Sequence, residues 1–254
     1  MSSLYKYLPA KYVESFVREG TVLFRSLSYF RDYEDAQVRG DEFEGTRLHR
    51  PHNGLEITLV ETQEKVVLPY SFESTANEDD IFVFCLSTVL SADLAAQFQA
   101  DACVEIKNVG AFVAGVRGAL LRRPSIKSKM LVHGQVKYYY YSPDQPPIVD
   151  WALPEKIAMS KLSAYTAQQE YRIAFAVNDA FRVENTRLRL VSPGERRPPR
   201  ATAHPERLFK LGSLKQLCKV HHFSAKAQPF VPADRLPQPL NSNVCAVHGT
   251  NPVG

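Results

Sequence analysis

The 254 residues are 44% apolar and 23% charged, with a formal net charge of +4. This is the make-up of a globular protein rather than a disordered or fibrous chain, and the mild positive charge permits a polyanionic partner without requiring one. The four cysteines, Cys85, Cys103, Cys218 and Cys245, include no CxxC pair, which argues against a structural zinc site and a disulfide-dense secreted scaffold. No apolar run approaches bilayer-spanning length, and the first residues lack the apolar core of a signal peptide. A cytoplasmic protein without membrane contact is therefore expected.

In chain order, Leu4 to Tyr7 reads as a strand, and Pro9 suits the start of a helix carrying Tyr12, Val13, Phe16 and Val17. Gly20 fits as its stop and Thr21 to Phe24 as a second strand. From Ser26 to Thr46, acids, arginines and aromatics alternate without a clean period, which predicts a long loop with one helical turn. Leu55–Val60 and Lys65–Leu68 read as a hairpin, and Ile81–Leu86 as a central strand closed by Ser87 and Thr88.

Ser91 or Asp93 caps a helix through Phe98, Ala102–Ile106 is a strand, and a helix starts at Val109. Met130–Tyr141 is strand-rich, and Pro154 opens a helical segment extended over Ile157, Leu162 and Tyr165. Tyr171–Val177 and Arg182–Val191 read as strands, Ser192–Pro205 as an exposed loop, and Leu208–Leu217 with Val220 and Phe223 as a last helix or strand. The predicted organisation is one domain over residues 1–223, with a proline-containing extended tail over 224–254.

The chemistry-bearing segment is Gln168-Gln169-Glu170-Tyr171-Arg172. Side chains alternate along a strand, so Gln168 and Glu170 are expected to share a face and reach one ligand together. An amide beside a carboxylate suits a ribose, since both bond hydroxyls and the carboxylate stabilises a developing positive sugar ring. The competing reading is a surface strand that opens with ordinary polar residues.

These parts occur in an informative order. A first strand carries Tyr5-Lys6-Tyr7, a helix, a glycine and a strand follow, a central strand ends in Ser87-Thr88, and a late strand opens with Gln-x-Glu. The order resembles the ADP-ribosyltransferase superfamily over roughly Leu4 to Val177, and specifically its bacterial toxin and phage-defence branch of DarT-like or CmdT-like proteins. The resemblance implies an α+β fold with two packed, small, mostly antiparallel sheets and flanking helices. It implies NAD as substrate, with Glu170 stabilising the oxocarbenium-like transition state and Gln168 positioning the acceptor.

On the same resemblance, Ser87 and Thr88 brace the glutamate or the nicotinamide ribose. Tyr5, Lys6 and Tyr7 hold the NAD, with Lys6 in the place of an Arg or His. A lysine is a point charge rather than a planar fork, so Arg25 or Arg31 is expected to supply the cationic clamp. An inhibitory antitoxin partner is plausible for a toxin.

Arg31, Asp32, Glu34, Asp35, Arg39, Asp41, Glu42 and Glu44 form a dense charged loop. It reads as a solvated network, as a lid over NAD, or as a magnesium or calcium site. The spacing does not reproduce an EF-hand loop, and no metal is expected. Between Lys107 and Lys137 the cations Arg117, Arg122, Arg123, Lys127 and Lys129 occur without an acid, and Tyr138 to Tyr141 follow. Charge beside stacking rings suits a nucleic-acid groove, so nucleic acid is the first candidate acceptor and protein the second. The alternative is a solvated basic face beside a half-buried aromatic strand. A non-enzymatic binding module, with Glu170 paired to Arg172 or Lys161, and an NAD glycohydrolase are the two rival functions. Arg196, Arg197 and Arg200 add a second basic loop. Cys85 with His133 is a further candidate nucleophile pair, although the apolar strand around Cys85 is expected to raise its pKa and blunt it.

Overall fold

The computed structural model describes residues 3–31, 43–49, 54–127, 129–139, 153–192, 195 and 204–223. The chain opens with β1 (Leu4–Leu8), a 3-10 turn at Ala10–Tyr12 and α1 (Val13–Glu19). Gly20 ends the helix at φ 64°, and a Cβ there would stand 2.3 Å from the Gly212 carbonyl oxygen. Then come β2 (Thr21–Ser26), α2 (Leu27–Arg31), β3 (Thr46–His49), β4 (Leu55–Thr58), β5 (Lys65–Leu68) and β6 (Ser71–Thr75). β7 (Ile81–Ser87) leads to α3 (Ala92–Gln97), whose first turn is capped by the Ser91 hydroxyl accepting from Asp93 and Leu94 N–H.

β8 (Ala102–Ile106) and α4 (Val109–Leu121) follow, the latter capped by Asn108. Next are β9 (Leu131–Gln135), β10 (Lys137–Tyr139), α5 (Pro154–Ala158), β11 (Ser160–Leu162) and a 3-10 turn at Ser163–Gln168. β12 (Glu170–Ala176), a 3-10 turn at Val183–Asn185, β13 (Arg187–Val191), β14 (Glu206–Lys210) and β15 (Cys218–His222) complete the described chain.

β7 organises the main, eight-stranded sheet. One of its edges pairs along its whole length with β12, from Ser87↔Glu170 to Ile81↔Ala176, and β9 lies beyond β12. The other edge divides. Its start pairs with β2, which carries β14, while Ser87 pairs with Tyr5 of β1, which carries β8 and β15. The sheet therefore forks, with Phe84 to Leu86 between the two arms.

Both central strands are buried on both faces, which explains the unbroken apolar run of β7. Phe82, Phe84, Tyr171, Ile173 and Phe175 pack into a core with α4, and Ile81, Val83, Ala174 and Ala176 pack into a second core with Ile157. On β12 the second face continues through Arg172 to Glu170, so its polar end falls at the fork.

The structure is α+β with mostly antiparallel sheets, as expected, but a single large forked sheet takes the place of two small ones. A three-stranded sheet β13-β6-β3, the hairpin β4-β5 and the parallel pair β10-β11 complete it. The helix opened by Pro154 ends at Ala158, leaving Leu162 on β11 and Tyr165 on a 3-10 turn. The strand expected from Arg182 begins at Arg187, and the last predicted element is two strands. Residues 32–42, with Arg39, and the 224–254 tail lie outside the described residues. No described helix is long and apolar enough to cross a membrane.

Candidate functional site

A cavity of about 460 Å³ opens at the fork, with Tyr5, Lys6 and Tyr7 of β1, Arg25 of β2, Cys85 and Ser87 of β7, and Lys161, Gln168 and Glu170 in its wall. This size falls within the range of small-ligand sites.

Glu170, the first residue of β12, is 5% exposed. Its Oε1 accepts from Arg172 Nε at 2.7 Å, whereas the contacts of Oε2 to Lys161 Nζ and Arg172 Nη2 are both 3.4 Å. Of the Arg172 and Lys161 contacts, those on Oε2 are therefore the weaker. Burial alone would raise the pKa of this carboxyl. The charges of Arg172 and Lys161 outweigh burial, aided by hydrogen bonds from Arg172 and Cys85, and hold it well below the usual carboxylate range.

Arg172 is buried and uses every N–H of its guanidinium. Nη1 donates to Glu44 Oε1 at 2.6 Å and to the Ala158 carbonyl at 2.7 Å, and Nη2 donates to Glu44 Oε2 at 2.8 Å. Burial opposes its charge, but Glu170 and Glu44 prevail and raise its pKa above the ordinary value.

Gln168 ends the 3-10 turn rather than lying on a strand, so strand alternation is not what brings it to Glu170. Gln169 between them takes a left-handed conformation at φ 44°. Lys161 then bridges the pair, its Nζ lying 3.1 Å from Gln168 Oε1. Ser87 and Thr88 fasten this turn through its backbone. Ser87 Oγ donates to the Gln168 carbonyl at 2.9 Å, and Thr88 N–H donates to the Gln169 carbonyl at 2.9 Å. Ser87 lines the cavity and Thr88 does not.

Lys6 Nζ donates to the Cys85 carbonyl at 2.9 Å and sits 4.4 Å from the centre of the Phe84 ring, at the stretch of β7 between the two arms. Tyr7 is structural in part. Its hydroxyl donates to the Val89 carbonyl and accepts from Ser91 N–H, and burial pushes the phenol up to about 12. Arg25 stacks 4.3 Å over Tyr29 and pairs with Glu206 at 2.9 Å. Arg31 is not in the cavity wall, because it is spent on an ion pair with the fully buried Glu78.

Burial, with the Glu170 charge next in importance, raises the Cys85 thiol far above its ordinary pKa. His133 Nδ1 meets Tyr171 Oη at 2.7 Å. His133 pairs with Ile173 and Cys85 with Arg172, adjacent on β12, so the two side chains lie on opposite faces of the sheet and form no nucleophile pair. In the basic stretch, Arg123 donates to the Leu208 carbonyl and Lys129 to the carbonyls of Leu120 and Arg123, while Arg117, Arg122 and Lys127 are exposed.

The described tyrosines beside that stretch turn inward. Tyr138 Oη accepts from Glu170 N–H at 2.8 Å, and the buried Tyr139 lies under Arg47. They form no base-stacking platform, and Tyr140, Tyr141, Arg196, Arg197 and Arg200 lie outside the described residues. His221 pairs with Glu105 at 2.9 Å. Among the described residues no group of three or more His, Cys, Asp or Glu gathers in metal-binding geometry.

Sequence reasoning placed Glu44 only in a charged loop. Its one legible signal was indirect, since an arginine two residues after Glu170 on the same strand face needs more than one partner once buried. Family models, curated proteins and solved structures give no match to this chain.

Proposed function

We propose that the cleft binds NAD and that the protein has an ADP-ribosyltransferase-like fold and activity, transferring ADP-ribose to a macromolecule. The observation that carries this reading is the meeting of Glu170, Gln168, Ser87, Tyr5 and Lys6 in one cavity at the fork of the sheet. In the reaction, the bond between the nicotinamide nitrogen and ribose C1 breaks and its electron pair leaves with neutral nicotinamide. The ionised Glu170 stabilises the oxocarbenium-like sugar and accepts a ribose hydroxyl at Oε2. The acceptor's lone pair then closes on C1 as the acceptor's proton is released to solvent water, with Gln168 orienting the acceptor. Lys6, in the cleft wall, supplies positive charge toward the phosphates. Nucleic acid is the first candidate acceptor, for the exposed Arg117, Arg122 and Lys127, and protein is the second. A role as toxin or antiviral effector, with an inhibitory partner, rests on the sequence resemblance alone.

The pairing of Glu170 with Arg172 and Lys161 favours a second reading, a non-enzymatic binding module in which this carboxylate is a strut. Labelled NAD separates the readings. Label on RNA, DNA or protein supports transfer, free ADP-ribose indicates a glycohydrolase, and no turnover indicates the binding module. Glu170→Gln is expected to lower turnover at least about a hundredfold, and full activity in that variant overturns the assignment.

A further inference from the structure

We propose that Glu44 is a positioning residue of this cleft: it holds Arg172 by a bidentate pair and supplies the charge that cancels the guanidinium. The proposal rests on the reading of Glu170 as the carboxylate that meets the reacting sugar. Four buried ionic groups run in a chain, Glu44 to Arg172 to Glu170 to Lys161. Their charges sum to zero. Without Glu44, two cations would face one carboxylate, and Glu170 would present a net positive surrounding to a centre that becomes positive in the transition state.

Geometry assigns the same role. Glu44 is 1% exposed, and both of its oxygens lie on Arg172, at 2.6 and 2.8 Å. It does not line the cavity, so its influence passes through Arg172. The bidentate pair fixes the plane of the guanidinium, and that plane sets where Nε meets Glu170 Oε1, leaving Oε2 with its longer contacts. Gly45, next in the chain, has φ 74°, and a Cβ there would stand 2.5 Å from Glu78 Cγ. The backbone that delivers Glu44 thus leaves no room for a side chain at position 45.

The test compares the full-length protein with Glu44→Gln and Glu44→Asp in two measurements. Without ligand, side-chain NMR of wild type is expected to show Arg172 Nη–H signals resolved and slow to exchange, and Glu44→Gln to lose them. Unchanged Arg172 signals in Glu44→Gln overturn the proposal. With NAD, kcat of Glu44→Gln is expected to fall by about a hundredfold with KM changed less than about threefold, the signature of an interaction felt in the transition state. A loss confined to KM, or none, overturns it. Should Glu44→Gln not fold, Glu44→Asp keeps the charge with a shorter reach, and it is expected to fold, retain slow Nη–H exchange and lose less than about tenfold in kcat. Wild-type kcat in Glu44→Asp alongside lost Nη–H signals overturns the proposal. If wild type turns over no NAD, the functional reading fails by itself, and the NMR comparison still decides the role of Glu44.

Discussion

Arg172 shows how much one buried side chain commits the fold. Its neighbours Glu44 and Glu170 are carboxylates with 1% and 5% exposure, and Glu44, which does not line the cavity, loses the partner of both its oxygens if the guanidinium is removed. Arg172→Met is expected to cost about 3–5 kcal/mol, because it strands buried charge rather than merely deleting contacts; urea denaturation measures this, and a cost below about 1 kcal/mol contradicts the described network. The same chemistry sets an acid dependence. The folded pKa of Glu170 lies below its ordinary value of 4.5, so its contribution is complete above that value and is lost as pH falls toward the folded pKa. Unfolding free energy is therefore expected to decline below about pH 5. In Glu170→Gln that decline is shallower by about 1.4 kcal/mol per pH unit, the effect of one proton.

Elements whose burial is apolar and periodic are the ones the sequence announces. α4 starts at Val109 as expected because Asn108 caps it and Phe112, Val113, Val116 and Leu120 face the core. β3 and β6 were not legible because their buried positions are polar. Arg47, Glu73 and Ser74 are buried, and Glu73 is matched by Arg189 from β13; no hydrophobic alternation can report such pairing. β14 buries only Phe209, too little to carry a period.

The site divides along the same line. Glu170, Gln168, Ser87 and Lys6 were legible as a motif order, and Arg172 and Lys161 as candidate partners of the acid, whereas Glu44, which completes the network, comes from a separate segment. Gly20 is the clearest element-scale test. The end of α1 is closed by residues 211–214, with Leu211 N–H bonding the Gly20 carbonyl and Leu214 N–H bonding the Val17 carbonyl. Gly20→Ala adds a Cβ at positive φ against the Gly212 carbonyl and is expected to cost about 2 kcal/mol or more. A urea midpoint matching wild type contradicts that close approach.

Across the whole molecule, the cleft is built on the best-buried strands of the sheet. β7 and β12 lie between two cores and should open only with global unfolding, while the exposed hairpin β4-β5 opens locally. Hydrogen exchange is expected to be slowest in the first pair and fast in the second. The cleft draws its walls from both arms of the fork, with Tyr5 and Lys6 from one and Arg25 from the other, joined across β7. A ligand seated there ties the arms together, so its binding energy appears as stability of the whole sheet. On the proposed NAD reading, NAD added to Glu170→Gln, in which turnover is expected to be slowed, should stabilise it by about 2.7 kcal/mol at a hundred times Kd. Exchange should slow in β1 and residues 163–169 and remain unchanged in β4-β5. Slowing confined to surface segments away from the fork, or no shift in melting temperature at millimolar NAD, would mean that the fork is not where this ligand acts.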